Sequence, residues 1–255
     1  MIVREYKDKF ILIEQDHHAR LSGEIMKYWK DDLFKGKERK KSVEFAISNH
    51  DLGWKLFDLE PFWNDQEERP YSFIDFPVMP KTALYSYGID LVEREDAYAA
   101  LLCSNHYARF MNNVPTKEAQ QFVQAEKMRQ QRLIASIPDF DEQLYQYHYA
   151  LLRFGDDISL YLCINEPGTP PDAIHPFFRN GINVSFLNTF NKNYLSLYFK
   201  DEQTVIIDDF PFVESFMVLI RQKSVYKKDI DKNGFIDSYK QAPYEELPIT
   251  LTDRA

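Results

Sequence analysis

The chain has 255 residues, 44% hydrophobic and 15% aromatic, enough to build one large core. A net charge of -9 argues against the cationic surface that nonspecific nucleic-acid binding needs, and 8 glycines leave little room for a long Gly-rich phosphate loop. No run approaches the ~18 apolar residues of a membrane span. The first residues show no apolar signal core, and Cys103 and Cys163 lie in apolar runs without CxxC spacing. The expectation is a soluble, cytoplasmic protein with two buried thiols.

Residues 1–14 predict a short N-terminal β-hairpin, Ile2-Val3-Arg4-Glu5 turning at 7–9 into Phe10-Ile11-Leu12-Ile13. A helix is predicted over 15–29, with Leu21, Ile25, Tyr28 and Trp29 at helical spacing. A second is predicted over 42–54, with Val43, Ala46, Ile47 and His50 on one stripe. Residues 55–82 carry Pro61, Pro70, Pro77 and Pro80 among Trp63, Tyr71, Phe73 and Phe76. That stretch reads as a long ordered loop, too aromatic to remain solvated. One or two helices are expected over 89–113 and another over 116–136. A further helix over 143–163 has its continuity put in question by Gly155.

After Pro167 the pattern alternates. The runs 182–187, 194–199, 204–208 and 216–220 read as strands of an antiparallel sheet, with a short helix at 237–241. The expected fold class is α+β in one domain. It joins the hairpin (1–14), a mainly helical core (15–165) and an antiparallel β-rich C-terminal region (180–224). That region should pack on the core because its apolar face needs a cover.

The string Ala46-Ile47-Ser48-Asn49-His50-Asp51-Leu52-Gly53-Trp54 carries the chemistry. Adjacent His and Asp can put an imidazole nitrogen and a carboxylate oxygen on one divalent ion, and Mn, Fe, Zn or Mg suits such donors. His18 lies upstream and Asp156-Asp157 downstream, each near or on a different predicted helix. The candidate metal ligands are His18, His50, Asp51 and Asp156, with Asp157 as the alternative to Asp156. His18 is preferred to His17 because it shares a stripe with Leu21, Ser22 and Ile25, whereas His17 falls at the rim.

His106 is a candidate catalytic residue, as an extra ligand or a donor to a phosphate; a helix-end histidine bonded to backbone or water is the plain alternative. Asp58 is a candidate base or proton relay, or else a turn residue. Trp54 is a candidate substrate-stacking residue, or else core. The cationic run 35–41 reads as a solvated connection, and His148 and His175 as structural or surface residues. Residues 229–237 fit the first nine positions of an EF-hand loop, but Lys240 stands where the bidentate Glu belongs, so the stretch reads as a turn.

Residues 46–53 resemble the signature helix of the HD-domain superfamily of metal-dependent phosphohydrolases. The resemblance covers roughly residues 15–165. It implies an all-helical HD-like core and places His18 as the first His, His50-Asp51 as the pair, and Asp156 or Asp157 as the last Asp. The sequence departs from that pattern in the long aromatic loop after Trp54 and in the distance from Asp51 to the last Asp. The chain also resembles a bacterial family defined only as a domain of unknown function, on the strings 15–23, 50–54 and 156–163. The expected function is a metal-dependent hydrolase of a phosphate ester, using a metal-activated water. One alternative is a non-catalytic ligand-binding or interaction module on an HD-like scaffold; the other is a di-iron oxygenase. The expected partner is a small phosphorylated substrate, with no nucleic acid and no membrane.

Overall fold

Strand alternation begins at the first residues. β1 (Ile2–Glu5) and β2 (Lys9–Ile13) pair antiparallel, with Ile2 opposite Ile13. The computed structural model of the chain describes residues 1–187 and 189–253. The hairpin does not stand alone, because β2 pairs antiparallel with β9 (Phe216–Tyr226), Lys9 facing Tyr226. It forms one side of a six-stranded sheet whose far side is made by β7 (Leu197–Asp201), β8 (Thr204–Ile207) and β10 (Tyr244–Thr252). The strand order is β1-β2-β9-β10-β8-β7.

Two features of this sheet correct the sequence reading. β10 had no predicted counterpart, since Glu245, Glu246 and Pro248 break its alternation. It sits between β9 and β8 and runs parallel to β8, so the sheet is not wholly antiparallel. Pro248 precedes the residues Thr250–Thr252 that pair with β8, so its missing N–H costs no bond on that side. The run 182–187 is also not a sheet strand. Only β5 (Ile182–Asn183) is extended, pairing with β6 (Tyr194–Leu195) in a separate ribbon. The Asn183 side chain ends it by accepting the Ser185 N–H at 3.0 Å, a local turn that competes with continued pairing.

The helices follow from their caps and apolar faces. α1 (Gln15–Met26) and α2 (Lys40–Asn49) match two of the predicted helices, and α2 stops just before His50. The proline-rich stretch is folded rather than looped. It holds α3 (Lys55–Leu59), a ribbon of β3 (Trp63–Asn64) with β4 (Arg69–Pro70), and the start of α4 (Val78–Glu95). Pro80 falls in the first turn of α4, where no intrahelical N–H bond is lost. α5 (Ala97–Met111), α6 (Lys117–Ser136) and α7 (Glu142–Ile164) are capped by Asp96, Thr116 and Asp141, each accepting a backbone N–H from the following turn. α7 runs unbroken through Gly155. α8 (Lys227–Asn233) and α9 (Phe235–Gln241) connect β9 to β10. One apolar cluster extends from Ile2 through the helices to Leu251. Among the described residues, no helix is long and apolar enough to cross a membrane.

Close helix crossings set the geometry that matters for function. A Cβ on Gly23 of α1 would stand 2.0 Å from Ser48 Oγ of α2, so hydrogen at that position lets the two helices touch. A Cβ on Gly53 would stand 2.2 Å from the Leu84 carbonyl oxygen of α4. Backbone cannot yield there as a flexible side chain would. Gly53→Ala should therefore destabilise the protein by roughly 1–3 kcal/mol through overpacking. Thermal unfolding would show a Tm several degrees lower; an unchanged Tm would mean that the 51–54 turn is free to move off α4.

Candidate metal centre

His50 is the residue that follows α2, and its position at the helix end fixes its ring. Carbonyls of the last helical turn have no partner within the helix. The Ile47 carbonyl accepts the His50 Nδ1–H at 2.8 Å. A carbonyl can only accept, so Nδ1 carries the proton and Nε2 presents a lone pair. His18 is oriented in the same way from α1. The Ser159 hydroxyl donates to the Asp156 carbonyl at 3.0 Å, which leaves its oxygen to accept the His18 Nδ1–H at 2.8 Å. The Ser22 hydroxyl completes the arrangement by donating to Ser159 Oγ at 2.7 Å. Such outer partners fix the tautomer and aim of metal-ligating histidines.

The two Nε2 atoms are 3.4 Å apart. Asp156 Oδ1 of α7 lies 3.1 Å from His18 Nε2 and 3.5 Å from His50 Nε2. Asp51 Oδ2 lies 3.9 Å from the first and 4.0 Å from the second, held by the Gln15 side-chain amide at 2.9 Å. His106 of α5 approaches from another side, its Nε2 3.6 Å from Asp156 Oδ2. Two overlapping donor sets result, His18–His50–Asp51 and His50–His106–Asp156, with the ligand atoms of each within 4.8 Å of one another. Donors about 2.1 Å from a single ion stand about 3–4 Å from each other, so the spacing fits a metal. All five side chains are buried.

The electrostatics point the same way. Lone pairs of two imidazoles face each other and two carboxylates, an arrangement of acceptors that needs a cation between them. Without a metal, a proton takes that role. Burial alone would lower the His50 pKa, but the Asp156 hydrogen bond and the Asp51 charge outweigh it and raise it to about 9. For Asp156, burial acts upward and is overcome by the adjacent His18 and His50 imidazoles once they carry that proton, which hold it well below the usual carboxylate range. Burial keeps His106 neutral, its pKa well below the usual value despite the pull of Asp156, and its buried Nδ1 has no hydrogen-bond partner among the described residues.

The cluster floors a cleft of about 800 Å³. The family model described as "Protein of unknown function (DUF3891)" matches residues 1–227. The chain belongs to that family. No curated protein and no solved structure matches it.

In this DUF3891 chain the structure brings together His18, His50, Asp51, Asp156 and His106. Asp157 lies beside them on the cleft wall. Burial and the neighbouring Asp156 charge raise its pKa to about 7 against the pull of Arg109 and Arg153. Trp54 also faces the cleft, packed edge-on against Phe76 and Tyr85 with ring centroids 5.4 and 6.1 Å away. Asp58 is placed elsewhere. Its carboxylate accepts the Asp16 N–H at 3.1 Å and lies 3.2 Å from the Met1 amino nitrogen, and it is not part of the cleft wall. That position does not suit the base or relay role considered for it.

His17 points to the sheet and accepts the Arg221 N–H at 2.9 Å. His148 is buried between the Tyr98 hydroxyl and the Lys35 carbonyl, and His175 accepts the Phe177 N–H. In the 35–41 run, Lys40 is paired with Asp31 and Arg39 donates to the Pro138 carbonyl, away from the cleft. The EF-hand-like stretch is helical through Asn233, so no calcium loop forms. Sequence reading assigned no role to Gln15, Ser159 or Arg109. The spacing His106-x-x-Arg109 on one helix face was the available signal for the last.

The metal-free protein should show a particular pH dependence. His50 has its pKa raised above 6.5 by folding, so its contribution to stability is full below about pH 6.5 and is lost as pH rises toward about 9. In chelator, Tm should fall across that window; with Mn²⁺ or Zn²⁺ added, the fall should vanish because metal replaces the proton. A chelated protein whose Tm is flat from pH 6.5 to 9 contradicts this reading of the site.

Proposed function

We propose that this protein is a metal-dependent hydrolase of the HD type that acts on a phosphate ester. The observation that carries the reading is the buried set of inward-facing acceptors with their opposite imidazole nitrogens already satisfied, at the floor of an open cleft. His18, His50, Asp51 and Asp156 would hold the ion, with His106 as a further ligand or as a hydrogen-bonding group toward substrate. A bound divalent ion supplies a lowered pKa for water and charge stabilisation for a phosphoryl oxygen. The chain's own contribution is position. Ser159 and the Ile47 carbonyl lock two imidazoles, Gln15 holds Asp51, and apolar side chains around the cluster reduce water access and strengthen its electrostatics.

The test is metal content beside turnover. Parent protein purified without chelator should carry bound divalent metal and hydrolyse a generic phosphomonoester. His50→Ala should lose most of both while keeping its circular dichroism spectrum. His175→Ala and Asp231→Ala should keep both, since neither residue belongs to the cluster. Metal loss confined to Asp231→Ala would move the ion to the C-terminal segment and sink the assignment. Two irons per chain with no phosphoester turnover would favour the oxygenase alternative. Metal retained without any turnover would favour a binding module.

A further inference from the structure

Among the described residues lining the cleft, Arg109 is the cation that stands next to the metal cluster. Arg109 stands one turn beyond His106 on α5, with Nη2 4.0 Å from Asp156 Oδ2 and its guanidinium 4.7 Å over the Phe110 ring. Its side chain is 32% exposed, and among the described residues it donates no hydrogen bond. Lys81 is the other cation lining the cleft, and it is committed: its ammonium donates to the Phe73 carbonyl at 2.7 Å and tethers the 73–74 loop to α4. The remaining charged lining residues are acidic, namely Asp51, Asp75, Asp156 and Asp157, and Asp75 is already paired with Arg69. The cleft therefore offers a guanidinium fork for one anionic group and no array for a polyphosphate tail. A second or third phosphate would find in the lining only Lys81, already engaged, and carboxylates.

The rest of the wall is apolar and aromatic. Phe110 and Phe177 line it while 41% and 55% exposed, with Trp54, Phe76 and Tyr85 behind. A volume of about 800 Å³ is far more than a lone phosphate fills. Exposed aromatic rings around an open cleft gain by covering apolar ligand surface.

We propose that the cleft recognises a phosphomonoester of an aromatic or other apolar body, with Arg109 gripping the single phosphoryl group; this rests on the phosphohydrolase reading above. Arg109 is a specificity residue, not a metal ligand. The guanidinium would present paired N–H donors to phosphoryl oxygens, while the aromatic wall holds the ester's organic part.

The experiment uses the full chain loaded with Mn²⁺. Turnover is compared for 1-naphthyl phosphate, glycerol 2-phosphate and ATP, and binding of phenylphosphonate is measured by calorimetry. The expected kcat/KM for 1-naphthyl phosphate is at least roughly tenfold above that for either competitor. Arg109→Gln should weaken phenylphosphonate binding by roughly tenfold or more with metal content unchanged, and Arg109→Lys should restore part of it. Preference for ATP or glycerol 2-phosphate would overturn the proposal. So would unaltered phenylphosphonate binding in Arg109→Gln, or loss of metal in that variant, which would make Arg109 a support of the cluster. If the loaded parent turns over none of the three esters yet binds phenylphosphonate through Arg109, the recognition stands and the hydrolase reading alone falls.

Discussion

Two buried carboxylates and two inward-facing imidazole lone pairs cannot share one small volume without a positive charge among them. That constraint organises the interior of this protein. Burying an unpaired carboxylate costs several kcal/mol. Asp51 and Asp156 are both buried, and their partners are chiefly the histidines around them and the Gln15 amide. A proton on His50 is one solution, and a divalent ion is the other. The outer hydrogen bonds favour the second, because both imidazoles already spend their Nδ1 protons on oxygen atoms that face away from the cluster.

Holding those groups within 3–4 Å of each other is a packing problem. Three helices and the turn that follows α2 contribute to the cluster, and their approach depends on side chains being absent at the crossings. Gly23 lets α1 lie on Ser48 of α2, and Gly155 of α7 meets Met26 and Ile47. Gly53 presses the turn after Asp51 against α4, which fixes Asp51 and Trp54 together. The sheet shares the apolar cluster with the helices, and the N-terminal hairpin is part of that sheet. The His/Asp cluster, the cleft wall and the sheet are thus coupled through close-packed contacts that tolerate little change in volume.

The sequence pointed to the His/Asp cluster more clearly than to its surroundings, for physical reasons. Coordination chemistry is written in residue type, so His18, His50, Asp51 and one of Asp156 or Asp157 stood out from their order on predicted helices. Helix α7 was legible as a helix over 143–163, and Gly155, which weakened the reading, turned out to serve a helix contact. Arg109 was not read because an arginine on a helix normally marks the solvated face; only its register with His106 distinguished it. Asp58 looked reactive by proximity to the His-Asp pair, but α3 turns its carboxylate toward the Asp16 amide instead. β10 was hidden by Glu245, Glu246 and Pro248, since pairing with β9 is a long-range property that local alternation does not encode.

The central claim is that this cluster is a metal site, and anomalous diffraction tests it most directly. Crystals of protein purified without chelator, measured on either side of the absorption edge of the metal found in the sample, should give an anomalous peak within the cluster. It should lie roughly 2.0–2.6 Å from the Nε2 atoms of His18 and His50 and from oxygens of Asp51 and Asp156. A peak at another place in the molecule, with the His18 and His50 nitrogens still 3.4 Å apart and no density between them, would contradict the account.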